Sequence, residues 1–105
     1  MTVTSPADPP LGACPTWCEK PADHGWEDEW SDGPMRDHVC TIDRIDRYNA
    51  IRLHEYERYT RSGRVRERAI NLDLDQSENW DAAGAQRVID ALNEAVSKFA
   101  EPVRE

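Results

Sequence analysis

The sequence predicts an α+β domain: a three-stranded antiparallel sheet, one C-terminal amphipathic helix packed on it, and a long loop at the N-terminal end. Two patterns lead there. Between residues 38 and 75 apolar and polar residues alternate at the two-residue period of strands, and between 81 and 99 they recur at helical spacing. A third observation bounds the answer. A chain of 105 residues has room for one domain, and one this short buries only about 65% of the surface its unfolded form exposes.

Composition sharpens the constraint. With 38% hydrophobic and 32% charged residues, the core is expected to be thin, so that an additional staple would help the chain fold. No stretch approaches the roughly 20 apolar residues of a membrane span. The opening MTVTSPADPPLGACP has neither the basic nor the apolar region of a secretory signal, so the expected compartment is cytoplasmic. Thiols stay reduced there. Three cysteines, an odd number, are therefore read as metal ligands or core residues, with a Cys14–Cys18 disulfide as the alternative.

Taken in order, residues 1–12 read as a disordered lead, because Pro6, Pro9 and Pro10 among Thr, Ser and Asp can neither bury surface nor continue a ladder. The domain proper is placed at 13–101, with a tail at 102–105. From Ala13 to Asp37 there is no period of either kind, and a loop of that length needs a nucleus to be ordered. The first strand is expected from His38, through Val39, Cys40, Ile42 and Ile45. The second runs from Ile51 to Tyr59, with Ile51, Leu53 and Tyr59 on one face and Arg52, His54, Tyr56 and Arg58 on the other. Arg61, Ser62 and Gly63 supply a turn. The third strand follows from Arg64 to Asp75, and its end turns Ile70, Leu72 and Leu74 inward. Asp81 is the expected N-cap of the helix, with Trp80 folding back near Ala85. Ala85, Val88, Ile89, Leu92, Ala95, Val96 and Phe99 form the apolar stripe expected to cover the sheet.

The chemistry lies in the irregular segment. Cys14 and Cys18 form a C-x3-C pair, His24 follows, and His38 and Cys40 sit where the first strand begins. A zinc ion (Zn2+) takes four thiolate or imidazole ligands in a tetrahedron, and two cysteines this close can fill two corners from one turn. Pro15 stiffens that turn, and Trp17 is placed to shield the thiolates from water. His38 is preferred to Cys40 as the fourth ligand, since Val39 and Ile42 make Cys40 an acceptable small core residue. His54, alone on a polar strand face, is expected to have no site role.

The stretch Cys14-Pro15-Thr16-Trp17-Cys18, followed by a histidine, an acidic loop, a second histidine, strands and an alanine-rich helix, resembles a family of small uncharacterised actinobacterial and actinophage proteins sharing a CPxWC motif. The resemblance spans Cys14 to Phe99, with CPTWC its specific part. It implies a compact domain with paired positions at Cys14, Cys18, His24 and His38, and it brings no known activity.

The net charge of −8 opposes encounter with nucleic acid, yet it is unevenly spread. Eight arginines and four acids lie between Arg44 and Arg68, a local excess of +4 that leaves −12 elsewhere. The hairpin arginines Arg58, Arg61, Arg64, Arg66 and Arg68 are expected on a solvated sheet face, so that replacing Arg64, Arg66 and Arg68 with Ala would leave folding intact. Their alternative use is nucleic-acid contact. Trp26, Glu27, Glu29 and Trp30, in the run W-E-D-E-W, are either a partner-docking loop or the outer wrapping of the metal loop. An acidic loop and a basic hairpin on one chain also invite self-association. No metalloprotease helix motif, serine nucleophile elbow or glycine-rich phosphate loop is present. The expected function is a small zinc-binding protein with a structural metal, working as a protein-interaction or regulatory module, and not an enzyme.

Overall fold

A computed structural model describes residues 8–104; the first seven residues of the expected lead lie outside the described residues. Four strands, β1 (Asp28–Trp30), β2 (Gly33–Arg44), β3 (Ala50–Thr60) and β4 (Gly63–Asp73), precede one helix, α1 (Ala82–Phe99). They form an antiparallel meander in sequence order. The α+β class with a C-terminal helix is as expected, but the sheet has four strands rather than three.

The additional strand lies inside W-E-D-E-W. All three residues of β1 are exposed, so no alternation marks it; a turn makes it instead. Trp30 pairs with Gly33 across Ser31 and Asp32. Gly33 has φ +139°, and a Cβ there would stand 2.0 Å from the Tyr59 carbonyl oxygen, so only glycine closes this hairpin. β2 accordingly begins five residues before His38.

Register divides the inner face of the sheet in two. Cys40, Leu53 and Ile70 lie side by side across β2, β3 and β4, and Ile51 neighbours Leu72. Next along come His38, Glu55 and Arg68, then Arg36, Glu57 and Arg66, then Tyr59 beside Arg64. One half is apolar and the other is charged. Arg36, His38, Glu55 and Glu57 are all 0% exposed, which is rare for such groups unless they are paired.

The helix covers the apolar half. Asp81 caps it as expected, accepting from the Gly84 N–H at 2.8 Å. Ile51, Ala91 and Ala95 form the buried core, joined by Ile42, Ile70, Leu74, Val88 and Leu92. The predicted stripe is thus split. Alanines let the helix approach the sheet closely, while Ile89, Val96 and Phe99 remain 50%, 57% and 42% exposed and Leu72 on β4 is 51% exposed.

The irregular N-terminal segment covers the charged half. Arg66 bridges Glu55 Oε2 at 2.7 Å and the Ala13 carbonyl at 2.8 Å. Arg64 donates to the Pro10 carbonyl at 2.6 Å and pairs with Glu57 at 3.1 Å, its Nε–H not aimed at the carboxylate. Arg36 donates to Glu57 and to the carbonyls of Gly12 and His24. The Gly12 N–H returns to Glu57 Oε2 at 2.8 Å. Residues 9–12, assigned to the lead, are therefore held by hydrogen bonds, and a Cβ on Gly12 would fall 2.3 Å from Arg66 Nη2. Within the expected tail, Arg104 donates to the Cys14 carbonyl at 2.9 Å.

The solvated face expected for the hairpin arginines does not form. Arg66 and Arg68 are buried against Glu55, and Arg58 pairs with Asp32 and Glu67; only Arg61 of the five is fully at the surface. Removing one partner of a buried ion pair strands the other without compensation. Arg66→Ala and Glu55→Gln should each cost about 3–5 kcal/mol in urea unfolding, whereas Arg61→Ala should stay within about 0.5 kcal/mol of the parent.

Candidate metal centre

Three local structures bring the ligands together. In CPTWC the Cys18 N–H closes a turn on the Pro15 carbonyl at 3.1 Å, and Pro15 and Trp17 are buried beneath it. The chain then follows the free edge of β2. Glu19 N–H donates to the Val39 carbonyl at 2.9 Å, the Glu19 carboxylate accepts from Thr41 N–H at 2.6 Å, and Lys20 Nζ reaches the Asp37 carbonyl at 2.7 Å. A second turn, His24 N–H to the Pro21 carbonyl at 3.0 Å, aims His24 back at the sheet. His38 meets it from the inner face of β2.

One ligand atom from each of Cys14, Cys18, His24 and His38 lies within 4.8 Å of the others, close enough to share a metal ion. His24 Nε2 is 3.2 Å from His38 Nδ1 and 3.8 Å from Cys18 Sγ. Tetrahedral zinc bonds set two nitrogens about 3.3 Å apart and a nitrogen and sulfur about 3.6 Å apart. The spacings fit such an ion. Cys40, the alternative fourth ligand, lies outside the group. Its thiol pKa is raised by burial, in the field of Lys98 and Glu94 of the helix. All three cysteines are free thiols, so the Cys14–Cys18 disulfide does not form.

The outer ring nitrogens fix the tautomer of a neutral ring. His24 Nδ1 lies 3.1 Å from Glu27 Oε2, and His38 Nε2 lies 2.7 Å from Glu57 Oε1. An ionised carboxylate only accepts, so each outer nitrogen carries the hydrogen. In neutral rings the two inner nitrogens then present lone pairs to one another. Burial, and then the Arg36 charge, lower the His24 pKa and favour that neutral form. Burial pushes the Cys14 thiol up, against the pull of Arg36, and its Sγ donates to the Ala22 carbonyl at 3.3 Å. A bound cation would displace that proton.

The two carboxylates escaped the sequence reading as parts of the site. Glu27, offered as a partner contact, is held by Lys20 Nζ at 2.9 Å and by the Asp37 N–H at 2.6 Å. Burial raises its pKa, but these donors outweigh burial and bring it down. Burial likewise pushes the Glu57 carboxyl up, and the hydrogen bonds from His38 and Gly12 with the charges of Arg36 and Arg66 bring it to about 2. A sequence signal existed for Glu57. It shares the inward face of β3 with Ile51 and Leu53, where a carboxylate needs a cationic or N–H partner.

The remaining candidates separate. Trp26 is buried, its indole N–H on the Pro9 carbonyl at 2.9 Å, so Trp26 and Glu27 belong to the wrapping of the metal loop. Glu29 and Trp30 stay on the exposed strand β1, with the Arg58 guanidinium 5.7 Å over the Trp30 ring. Trp17 packs under Arg68, 5.5 Å from guanidinium to ring. His54, on the outer face, hydrogen-bonds Asp37 at 3.0 Å and stacks on Tyr56. Comparison with protein-family models, curated proteins and solved structures finds no significant match to this chain. Among the described residues no helix is long and apolar enough to cross a membrane.

Carboxylates that orient metal-bound histidines tune affinity by about 10–100-fold. Glu27→Gln should weaken metal binding by about that factor in competition with a chromophoric chelator, with the circular dichroism of the loaded protein unchanged. Cys40→Ser should retain the full metal complement; a loss of stoichiometry there would assign the fourth position to Cys40.

Proposed function

We propose that Cys14, Cys18, His24 and His38 hold a structural zinc ion, and that the chain is a protein-interaction or regulatory module of the cytoplasm rather than an enzyme. The single observation that carries the metal is the convergence of two imidazole nitrogens and two sulfurs, with both outer imidazole nitrogens committed to carboxylates, which in neutral rings turns the inner lone pairs toward one another. Lone pairs in that arrangement repel unless a cation sits among them. Two sulfurs and two nitrogens in a tetrahedral arrangement suit zinc.

A structural role is supported by the ligand count. Four protein ligands fill the tetrahedron, whereas a catalytic zinc keeps one position for water or substrate. The ion would order a segment that has few buried side chains of its own, so that its binding free energy is folding free energy. The nucleic-acid alternative loses its support, since Arg64, Arg66 and Arg68 direct their donors to Glu55 and to backbone carbonyls. An interaction role is supported by apolar surface that the fold leaves open on α1.

Elemental analysis of protein purified without added zinc should give one zinc per chain. Cys14→Ser or Cys18→Ser should abolish it and lower the melting temperature sharply; identical melting curves with and without a strong chelator would overturn the reading. Acidification should release the metal and the fold together, because protons compete for thiolate and imidazole.

A further inference from the structure

The outer face of α1 has a pattern of its own. Ala85, Ile89, Leu92, Val96 and Phe99 are spaced four, three, four and three residues apart, the a/d repeat by which two helices pair. Only Leu92 of this stripe also reaches the core against the sheet, and Ile89, Val96 and Phe99 stay exposed. The sheet packs against the neighbouring stripe, in which Val88, Ala91 and Ala95 face the core. The bulkier stripe is the one left open.

The two ends of the stripe are complementary in shape. At its start, Leu74, Trp80, Ala85, Val88 and Ile89 line an apolar cavity of about 210 Å3; an apolar cavity of roughly 150 Å3 accepts a benzene molecule. At its end, Phe99 projects a phenyl ring. Leu92 lies seven residues from each end, so a two-fold axis through Leu92 sets Phe99 of one chain against Ala85 of another. The same operation places Val96 between Val88 and Ile89. The contact is isologous: each chain supplies both knob and hole.

Charge favours the same occupant. The chain carries −8 overall, which opposes self-association over most of its surface. The charged residues of α1 are Arg87, Asp90, Glu94 and Lys98, two of each sign, and the 3.6-residue period keeps all four off the stripe. Its outer margin is Gln86 and Asn93, both uncharged. Antiparallel alignment also opposes the two helix macrodipoles favourably. Monomers rarely expose contiguous apolar patches larger than a few hundred Å2, and here Ile89, Val96 and Phe99 stand 50%, 57% and 42% exposed along one line of the helix.

From these observations we propose that the protein is a homodimer in which the outer stripes of two α1 helices pack antiparallel about a two-fold axis at Leu92, with each Phe99 filling the cavity at the start of the other helix. The proposal rests on reading the chain as an interaction module and names the partner as a second copy. In sedimentation equilibrium at micromolar concentration the metal-loaded protein should show twice the 12.0 kDa of one chain. Ile89→Asp with Val96→Asp should be monomeric while keeping its metal and helical signal. Phe99→Ala, a milder change, should raise the dissociation constant about tenfold or more. Leu92→Cys in a Cys40→Ser background should form an interchain disulfide under mild oxidation, reporting the axis.

A monomeric parent protein would overturn the proposal, as would a dimer indifferent to Phe99→Ala and to the double substitution, or a helix face that is covered only when a different protein is added. Metal content in the same samples separates the two readings. One zinc per chain in a monomer leaves the metal assignment standing and removes the dimer, whereas a dimer without metal removes the metal assignment alone.

Discussion

The fold depends on one carboxylate. Glu57 sits wholly inside the protein, accepts from His38 Nε2, Arg36 Nε and the Gly12 N–H, and stands 3.7 Å from Arg66. It belongs to the metal centre and to the buried ion lattice at once. Taking a carboxylate out of water costs several kcal/mol, and an attraction to cations repays it only when its remaining lone pairs are also satisfied. Glu57 meets that condition by gathering donors from β2 and the N-terminal loop, with the charges of Arg64 and Arg66 of β4 beside it. Glu55 does the same one step along β3, between Arg66 and Arg68. The ordering of the charged half of the sheet follows from these two residues.

A charged interior answers a question that an apolar one would leave open. The irregular segment from Pro9 to Trp26 has no ladder partner for most of its carbonyls, and a buried carbonyl without a donor is costly. Arginine guanidinium groups supply donors in fixed forks. Pro10, Gly12, Ala13 and His24 each give their carbonyl to one of Arg36, Arg64 or Arg66. The Cys/His cluster gathers side chains of the segment at one point, while the arginines fix its backbone.

What the sequence made legible follows from where period carries information. Strands β3 and β4 and the helix cap at Asp81 were readable because alternation and capping chemistry are local. The Cys/His cluster was readable because thiol and imidazole groups fall within a short window whatever the fold. Strand β1 was not, since an exposed three-residue strand has no buried face to impose alternation, and its cause is a glycine turn further on. The arginines were misassigned for a different reason. Arg64, Arg66 and Arg68 are in step with Ile70 and so continue its inward face, but a run of charge on that face reads as solvated until its carboxylate partners across the register are known. Glu55 and Glu57, in line with Ile51 and Leu53, were the clue that this face stays buried beyond its apolar part.

Helix and metal centre, though on opposite halves of the sheet, are joined through Arg68. Its Nε binds Glu55 at 2.9 Å, its Nη1 takes the Phe99 carbonyl at 2.7 Å and the Glu101 carbonyl at 2.6 Å, and its plane lies on Trp17 of the CPTWC turn. A cation at a helix C-terminus is favoured by the macrodipole, and here the same cation also seats the turn that carries two ligands. Thr16 Oγ1 to Glu101 at 3.1 Å and Arg104 to the Cys14 carbonyl at 2.9 Å strengthen the link. Phe99, the end of the open apolar stripe, is therefore anchored by groups whose other contacts lie on the metal loop. Order in that loop and the position of the helix end are consequences of one set of hydrogen bonds, so a change that loosens the ligand turn also loosens the end of the surface that α1 presents.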